Sequence, residues 1–347
     1  MIRACYQTSA AEALQLFATR HHMTFAGIGE RGKPVLRTVD HVLLDGDLYF
    51  HGGAHGEKVE LLGKPAVASV EQVVAEIPSH FLDPEWACPS TTYFESAMAH
   101  GVLEALQTQE EKARALDALM QHRGYGGTYV PITPDAPQYQ GALDGLHVIR
   151  LRVERVEAKR KLGQNRSARA IASVLEGLWQ RGGEGDLEAI ERVRRYHPAD
   201  PCPARLAAPE GLRLHVAPRE EHAAQVAGLL EGQYWTEGTT AEQRAGSQLG
   251  AAAWILFADT KGEAVASARA ITDGARMAWV LDVVVDPAWR NRGVGSFVVQ
   301  RLLEHPRLRH GHTVRLATRD RQRLYRARGF ATEPLRGEVM ARRGLAV

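Results

Sequence analysis

Cysteine is scarce and scattered: Cys5, Cys88 and Cys202 are the only three in 347 residues. An odd number spaced so widely fits neither a disulfide framework nor a paired-cysteine metal knuckle, so reduced thiols are expected. No HExxH or paired Cys/His spacing marks a metal site either. Long apolar runs are also missing. No stretch approaches the ~18 consecutive apolar residues of a membrane-spanning helix, and residues 1–22 lack the basic flank, apolar run and cleavage site of a secretory signal. A cytoplasmic protein without membrane association is expected. Repeats and low-complexity tracts are absent. With no basic run, helix-turn-helix or aromatic-basic interleaving, a nucleic-acid partner is not expected.

The chain is longer than one hydrophobic core usually supports, so two domains are the starting expectation. Hydrophobic content of 44% and charged content of 24% are ordinary for a globular protein. The net charge of +2 divides unevenly: residues 1–205 carry 23 basic and 26 acidic groups, and residues 206–347 carry 20 and 15. A basic second part suits an anionic ligand as well as it suits nucleic acid, so sign alone does not choose. The break is expected at HPADPCPARLAAPEG, residues 197–211, where four prolines and several small residues interrupt all periodicity. The domains expected are therefore 1–205 and 206–347.

Before the break the pattern is mostly strand. PVLRTVDHVLLDGDLYFHG reads as two strands around the Asp45-Gly46 turn, and SAMAHGVLEAL and LHVIRLRVERVEAK as further strands separated by the helical EEKARALDALMQHRG. Many short strands with few helices suggest a barrel. After the break, helices and strands alternate. PREEHAAQVAGLL and TTAEQRAGSQL have helical spacing; AAWILFAD, AVASARAITD and MAWVLDVVV read as strands; then come the helix GSFVVQRLLEH, the strand TVRLAT and the helix RQRLYRARG.

The sharpest local signal is the run Asp286 to Ser296, DPAWRNRGVGS, between an apolar strand and a helix. Glycines at 293 and 295 let the chain turn tightly and let an anion approach the backbone, and the following helix points its partial positive end at the same spot. Arg290 and Arg292 add charge. The run resembles the pyrophosphate loop of the GNAT acyltransferase superfamily, whose pattern is Arg or Gln, two residues, Gly, one residue, then Gly or Ala. Downstream, LATRDRQRLYRARGF is similar to that superfamily's final strand and helix, with Tyr325 and Gly329-Phe330 in place. Upstream, QYWTEG and SARAITDGARMAWVLDVVVDP resemble one subgroup, so the likeness covers about 140 residues.

This resemblance implies acetyl-coenzyme A as cofactor and direct acyl transfer to the nitrogen of a small amine. It assigns Arg290, Asn291, Arg292, Gly293, Val294, Gly295 and Ser296 to the pyrophosphate, and the main chain of Val283, Val284 and Val285 to the pantetheine arm. Tyr325 is the candidate acid that protonates the leaving sulfur; the alternative is an aromatic that anchors its helix. Asp282, the only acid in an apolar run, could take the amine's proton through water or hold the ammonium, or serve a structural hydrogen bond. Trp235 and Glu237 resemble acceptor-site positions, or else pack their loop. Nothing in the sequence names the acceptor.

In the first part, DLYFHGGAHGEKVELL resembles the FMN-binding split barrel of the pyridoxamine 5′-phosphate oxidase superfamily, in its branch related to nitroimidazole-resistance proteins. CPSTTYFESAMAHG and KLGQNR extend the likeness to nearly 200 residues. It implies FMN as cofactor, with Phe50, His51 and Gly52 leading into a tight turn and Lys58 placed to meet a terminal phosphate. Arg37, Thr38 and Val39 would lie along the flavin, with Arg37 as a second cation, and Ser96 joins this set. His51 and His55 also allow a heme or metal reading of the same barrel. Barrels of this kind are generally homodimers with flavin at the subunit interface, so a homodimer is implied. The fold class expected is α+β: an FMN-binding split β-barrel followed by a GNAT α/β fold with a mixed sheet. The function expected is a flavin-dependent oxidoreductase-like domain fused to an N-acetyltransferase. The alternative is an acetyltransferase whose barrel senses or dimerises without turnover.

Overall fold

The computed structural model describes residues 3–53, 55–198, 200, 202–310 and 313–332. Its internal contacts divide the chain into two units, Met1–Ser167 and Ala168–Val347. That division lies upstream of the 205/206 break expected from composition.

In the first unit, Ser9 and Glu12 form a capping box that starts helix α1 (Ala10–Ala18). Strands β1 (His22–Ile28), β2 (Pro34–Asp40), β3 (Val42–Leu44), β4 (Asp47–Gly53), β5 (Pro65–Ile77) and β6 (Thr91–Ala105) follow. Helices α2 (Gln109–His122) and α3 (Pro137–Gly145) then lead into β7 (Leu146–Lys161). The antiparallel sheet has the order β2-β1-β5-β6-β7-β4-β3. Asp45 (φ 52°) and Gly46 (φ 89°) close the β3–β4 hairpin, as the Asp-Gly pair predicts. The sheet curls at irregularities in register near Val73 and His100. At the second of these, a β-carbon on Gly101 would collide with the carbonyl of Arg152, so only glycine fits. The curl encloses Phe17, Met23, Phe25, Leu48, Phe50, Leu61, Leu103, Ile149 and Leu151, with Phe25 and Phe50 stacked at 4.9 Å. On the outer face of β4, Tyr49 packs in a smaller cluster with Leu119 of α2.

The second unit begins with α4 (Ala168–Arg181) and α5 (Asp186–Tyr196), two helices that the strand-dominated reading of residues 1–205 does not anticipate. Both are amphipathic, and they bury Ile171, Val174, Leu175, Leu178, Trp179, Ala189, Ile190 and Val193. Hydrogen bonds tie them to later segments of the same unit. Arg309 donates to the Trp179 carbonyl at 3.0 Å, Arg194 donates to the Leu214 carbonyl at 2.6 Å, and Glu191 accepts the Val216 N–H at 2.7 Å. Next come β8 (Leu212–His215), α6 (Glu220–Leu229), α7 (Ala241–Leu249), β9 (Ala253–Asp259), β10 (Ala264–Thr272), β11 (Met277–Val285), α8 (Val294–Leu303), β12 (Thr313–Arg315) and α9 (Gln322–Arg326). The sheet order is β12-β11-β10-β9-β8, antiparallel except for the β11–β12 pair, so the mixed sheet expected from sequence is present. Among the described residues no helix is long and apolar enough to cross a membrane.

Candidate functional site

The site of the second unit arises because β11 and β12 part company. Their parallel pairing runs only from Met277↔Thr313 to Trp279↔Arg315. Beyond it, among the described residues, the main chain of Val280–Val285 has no partner strand on that side. A cleft of about 940 Å³ opens there between Val280–Val285 and Leu316–Arg321, with Gln233, Tyr234 and Trp235 on the wall and Tyr325 at the side. Arg290, Asn291, Gly293, Gly295 and Ser296 line one end. The expected residues Asp282, Val283, Val284, Val285, Trp235 and Tyr325 therefore share one cavity. Glu237, Arg292 and Val294 do not line it. Arg292 instead lies over the Trp289 ring at 5.2 Å.

The β11 edge carries a bulge. Val284 pairs with Ser267 and Leu281 with Arg269, so Asp282 and Val283 face Ala268 alone, and Asp282 sits at φ 51°. The kink turns the Asp282 side chain toward Arg269 of β10 and Gln248 of α7. Its Oδ2 accepts from Arg269 Nε at 2.6 Å and from Gln248 Nε2 at 3.0 Å. Arg269 and Asp282 are 13% and 10% exposed at the side chain, and Gln248 is fully buried. Sequence spacing does not reveal this trio, because three separate elements bring it together.

Tyr325 is 9% exposed and packs edge-on against Phe330 at 5.9 Å. Burial pushes its phenol up to about 12, with Tyr234 and Asp320 nearby acting in the same direction and Arg321 opposing them. Tyr325 therefore keeps its proton at neutral pH.

At the loop, Asp286 caps a short turn by accepting the Ala288 N–H at 2.7 Å, and Arg290 Nε donates to the Val285 carbonyl at 3.1 Å. Asn291 (φ 62°) and Gly293 (φ 80°) are both left-handed. Left-handed residues set among ordinary ones gather successive N–H groups on one side, and α8 starts immediately after at Val294. A β-carbon at Gly295 would come within 3.4 Å of Val285 Cγ2, so that glycine keeps α8 close to β11. The sequence did not point to Arg328, whose guanidinium donates to Ser296 Oγ at 2.7 and 3.1 Å and adds a cation at the helix start.

In the first unit the expected residues are less concentrated. Lys58 folds back so that its ammonium packs against Gly52; a β-carbon there would strike it. Arg37 is ion-paired with Glu57 beside it, which offsets the charge expected to meet a phosphate. Thr38 bonds Thr24 across the strand pair at 3.1 Å. The Val39 side chain packs on the barrel core and that of Phe50 is inside it, so only their main chain could meet a cofactor. Ser96 is half-buried on β6, opposite Glu71 and Lys159. His51 is exposed and borders a separate apolar hollow of about 180 Å³ with Leu119, Tyr139 and Leu143. Among the described residues, no group of three or more His, Cys, Asp or Glu side chains is placed to hold a metal ion.

Residues 9–160 match the family described as pyridoxamine 5′-phosphate oxidase, and residues 218–330 match the acetyltransferase (GNAT) family. A curated relative, "GCN5-related N-acetyltransferase 1, chloroplastic" of Arabidopsis thaliana, is 34% identical over 93 residues, which is 26% of this chain. The chain spans about half (47%) of that protein's length. Among solved structures, the FAD and heme binding protein of Mycobacterium smegmatis is 22% identical over 45% of this chain and 73% of its own, with TM-score 0.38. A protein assigned to the GNAT family from Xanthomonas campestris pv. campestris is 25% identical over 38% of this chain and 93% of its own, with TM-score 0.34. The chain thus joins a domain of the pyridoxamine 5′-phosphate oxidase-like family to a domain of the GNAT acetyltransferase family.

Proposed function

We propose that the second unit is an N-acetyltransferase, moving an acetyl group from acetyl-coenzyme A to the nitrogen of a small amine. The observation that carries this reading is the splay of β11 from β12, with the 290–296 loop at one end of the cleft and Asp282 and Tyr325 along it. The unpaired main chain of Val283–Val285 can receive the pantetheine arm as an added strand, and the N–H groups and cations at the start of α8 can receive the pyrophosphate. A neutral amine then attacks the thioester carbon; a C–N bond forms, the C–S bond breaks, and the amine's proton passes to Asp282 through water. Oδ1 of Asp282 accepts no hydrogen bond from the described residues, which leaves it open for that proton. Tyr325 donates a hydrogen bond to the departing sulfur. A phenol at about 12 holds its proton against a thiolate whose ordinary value is about 8.5, so the sulfur leaves as a hydrogen-bonded anion rather than a thiol. Acetyl-coenzyme A should raise the melting temperature and release free thiol in the presence of an amine panel. No shift at saturating cofactor would overturn the reading.

For the first unit we propose FMN binding at an interface between two copies. Lys58 against Gly52 offers a cation beside exposed backbone, and Ile28, Leu36 and Val73 leave more than half of their apolar surface in water. A bound flavin would supply redox chemistry. The alternative is a unit that dimerises or senses without turnover; the pairing of Arg37 with Glu57 leaves Lys58 as the cation offered to a phosphate in either case. The absorption spectrum before and after denaturation decides between FMN, heme and neither. Bleaching by NAD(P)H followed by substrate-dependent reoxidation would mark an oxidoreductase.

A further inference from the structure

The floor of the cleft holds a guanidinium with unused capacity. Arg269 is nearly buried, and its one hydrogen bond runs from Nε to Asp282 Oδ2 at 2.6 Å. Among the described residues its two terminal amino groups have no acceptor, although Arg269 lines the cleft. A guanidinium presents five N–H donors in a flat fork, and the terminal amino groups of this one are open to the cleft rather than sealed in the core. Asp282, fastened on one side, aims the other end of the fork into the cavity. Two aromatic side chains, Tyr234 and Trp235, stand on the adjoining wall at 38% and 40% exposure. They meet edge-on at 4.8 Å, and the Arg319 guanidinium covers the Tyr234 ring at 4.2 Å.

Building on the acetyltransferase reading, we propose that the acceptor is a compact amino carboxylate of the amino-acid type, its carboxylate held by the free fork of Arg269. Bidentate pairing is the geometry that a guanidinium and a carboxylate share. Because the amine's proton reaches Asp282, which itself touches Arg269, the acceptor's nitrogen and carboxylate are near neighbours, as in an amino acid. The zwitterion matches the floor charge for charge, ammonium toward Asp282 and carboxylate toward Arg269. The acceptor's side chain then projects along Tyr234 and Trp235, which favours an apolar or aromatic group.

The test uses the full-length protein and matched acceptor pairs: L-phenylalanine with phenethylamine, L-leucine with isoamylamine, and L-phenylalanine with L-phenylalaninamide. Initial rates of thiol release from acetyl-coenzyme A give kcat/KM for each. The carboxylate-bearing member should be preferred by roughly ten- to a hundred-fold, the range of one lost charge-assisted bond. Because Arg269 also holds Asp282, Arg269→Gln should slow both members of a pair, and in addition it should erase the preference by raising KM for the amino acid more than for the plain amine; Arg269→Lys should restore part of that preference. A merely structural Arg269 would depress both members of a pair alike. Equal or better use of the amines lacking a carboxylate overturns the inference, as does silence toward every pair from a protein that acetyl-coenzyme A stabilises. Failure of acetyl-coenzyme A to stabilise the protein overturns the acetyltransferase reading itself, and this inference with it.

Discussion

Tyr325 and His41 both have pKa values displaced mainly by burial, with opposite signs and different consequences. Burial holds the Tyr325 phenol protonated, up to about 12, so Tyr325→Phe would remove the hydrogen bond proposed to sulfur and little else. Acetyl transfer should fall roughly ten- to a thousand-fold, the range for losing one donor to a developing anion, while the thermal shift with acetyl-coenzyme A is nearly unchanged. Full activity with a slow acceptor, one for which the chemical step limits the rate, would make Tyr325 only an anchor for α9. His41 is buried in the first unit with Nε2 on the Phe17 carbonyl at 3.1 Å and Nδ1 without a partner among the described residues. Burial first, and then His122, push it down from 6.5 to about 4, against the raising effect of the Phe17 carbonyl. The folded state binds this proton less readily than the unfolded one, so the contribution is fully present above about pH 6.5 and is lost as pH falls toward 4. It is worth on the order of 3 kcal/mol. Melting curves between pH 4 and 8 should steepen downward in that window, and His41→Gln should flatten part of the slope. Lys58 offers a third check at this scale. Lys58→Glu puts an anion where a phosphate is proposed, and FMN affinity should drop by at least tenfold with acetyl-coenzyme A binding intact; equal FMN quenching titrations for both proteins would remove Lys58 from the site.

The strand–loop–helix unit from β11 to α8 is legible in the sequence because its determinants are contiguous: an apolar run, an arginine, and two glycines at fixed spacing. The structure adds why the glycines differ. Gly293 has open space where a side chain would go but a left-handed backbone, whereas Gly295 is limited by contact with Val285. Gly293→Asp therefore combines a strained φ with a negative charge at the proposed anion site. It should cost about 1 kcal/mol of stability or more and largely abolish the melting shift produced by acetyl-coenzyme A. An unchanged shift in differential scanning fluorimetry would take the loop out of the site. Elements with weaker cues are harder to read. The capping box Ser9-Glu12 marks α1, yet it starts a helix of only nine residues, and α4 and α5 follow a long strand pattern that masks their helical spacing.

For the whole molecule, the two units meet at Ser167/Ala168 in sequence, and α4 and α5 go with the second. A chain beginning at residue 206 would lose eight buried apolar side chains on those helices, the hydrogen bonds donated by Arg309 to Trp179 and by Arg194 to Leu214, and the one Glu191 accepts from Val216. At about 1.5 to 3 kcal/mol for each fully buried large side chain, that loss exceeds the stability of an ordinary domain. Residues 168–347 should therefore fold and be stabilised by acetyl-coenzyme A, whereas residues 206–347 should melt far lower or aggregate; similar melting curves for the two would put the boundary back in the proline-rich stretch. Local patterns of residue types were enough to recognise the pairing of two fold families and to nominate the 286–296 loop, Asp282 and Tyr325 as candidates, since each depends on residues close together along the chain. It took the folded arrangement to show that β11 leaves β12 after three residue pairs, that a bulge turns Asp282 onto Arg269 and Gln248, and that Arg328 reaches Ser296. Those facts depend on strand register and on contacts between residues 13 to 34 positions apart, which no local pattern of residue types encodes.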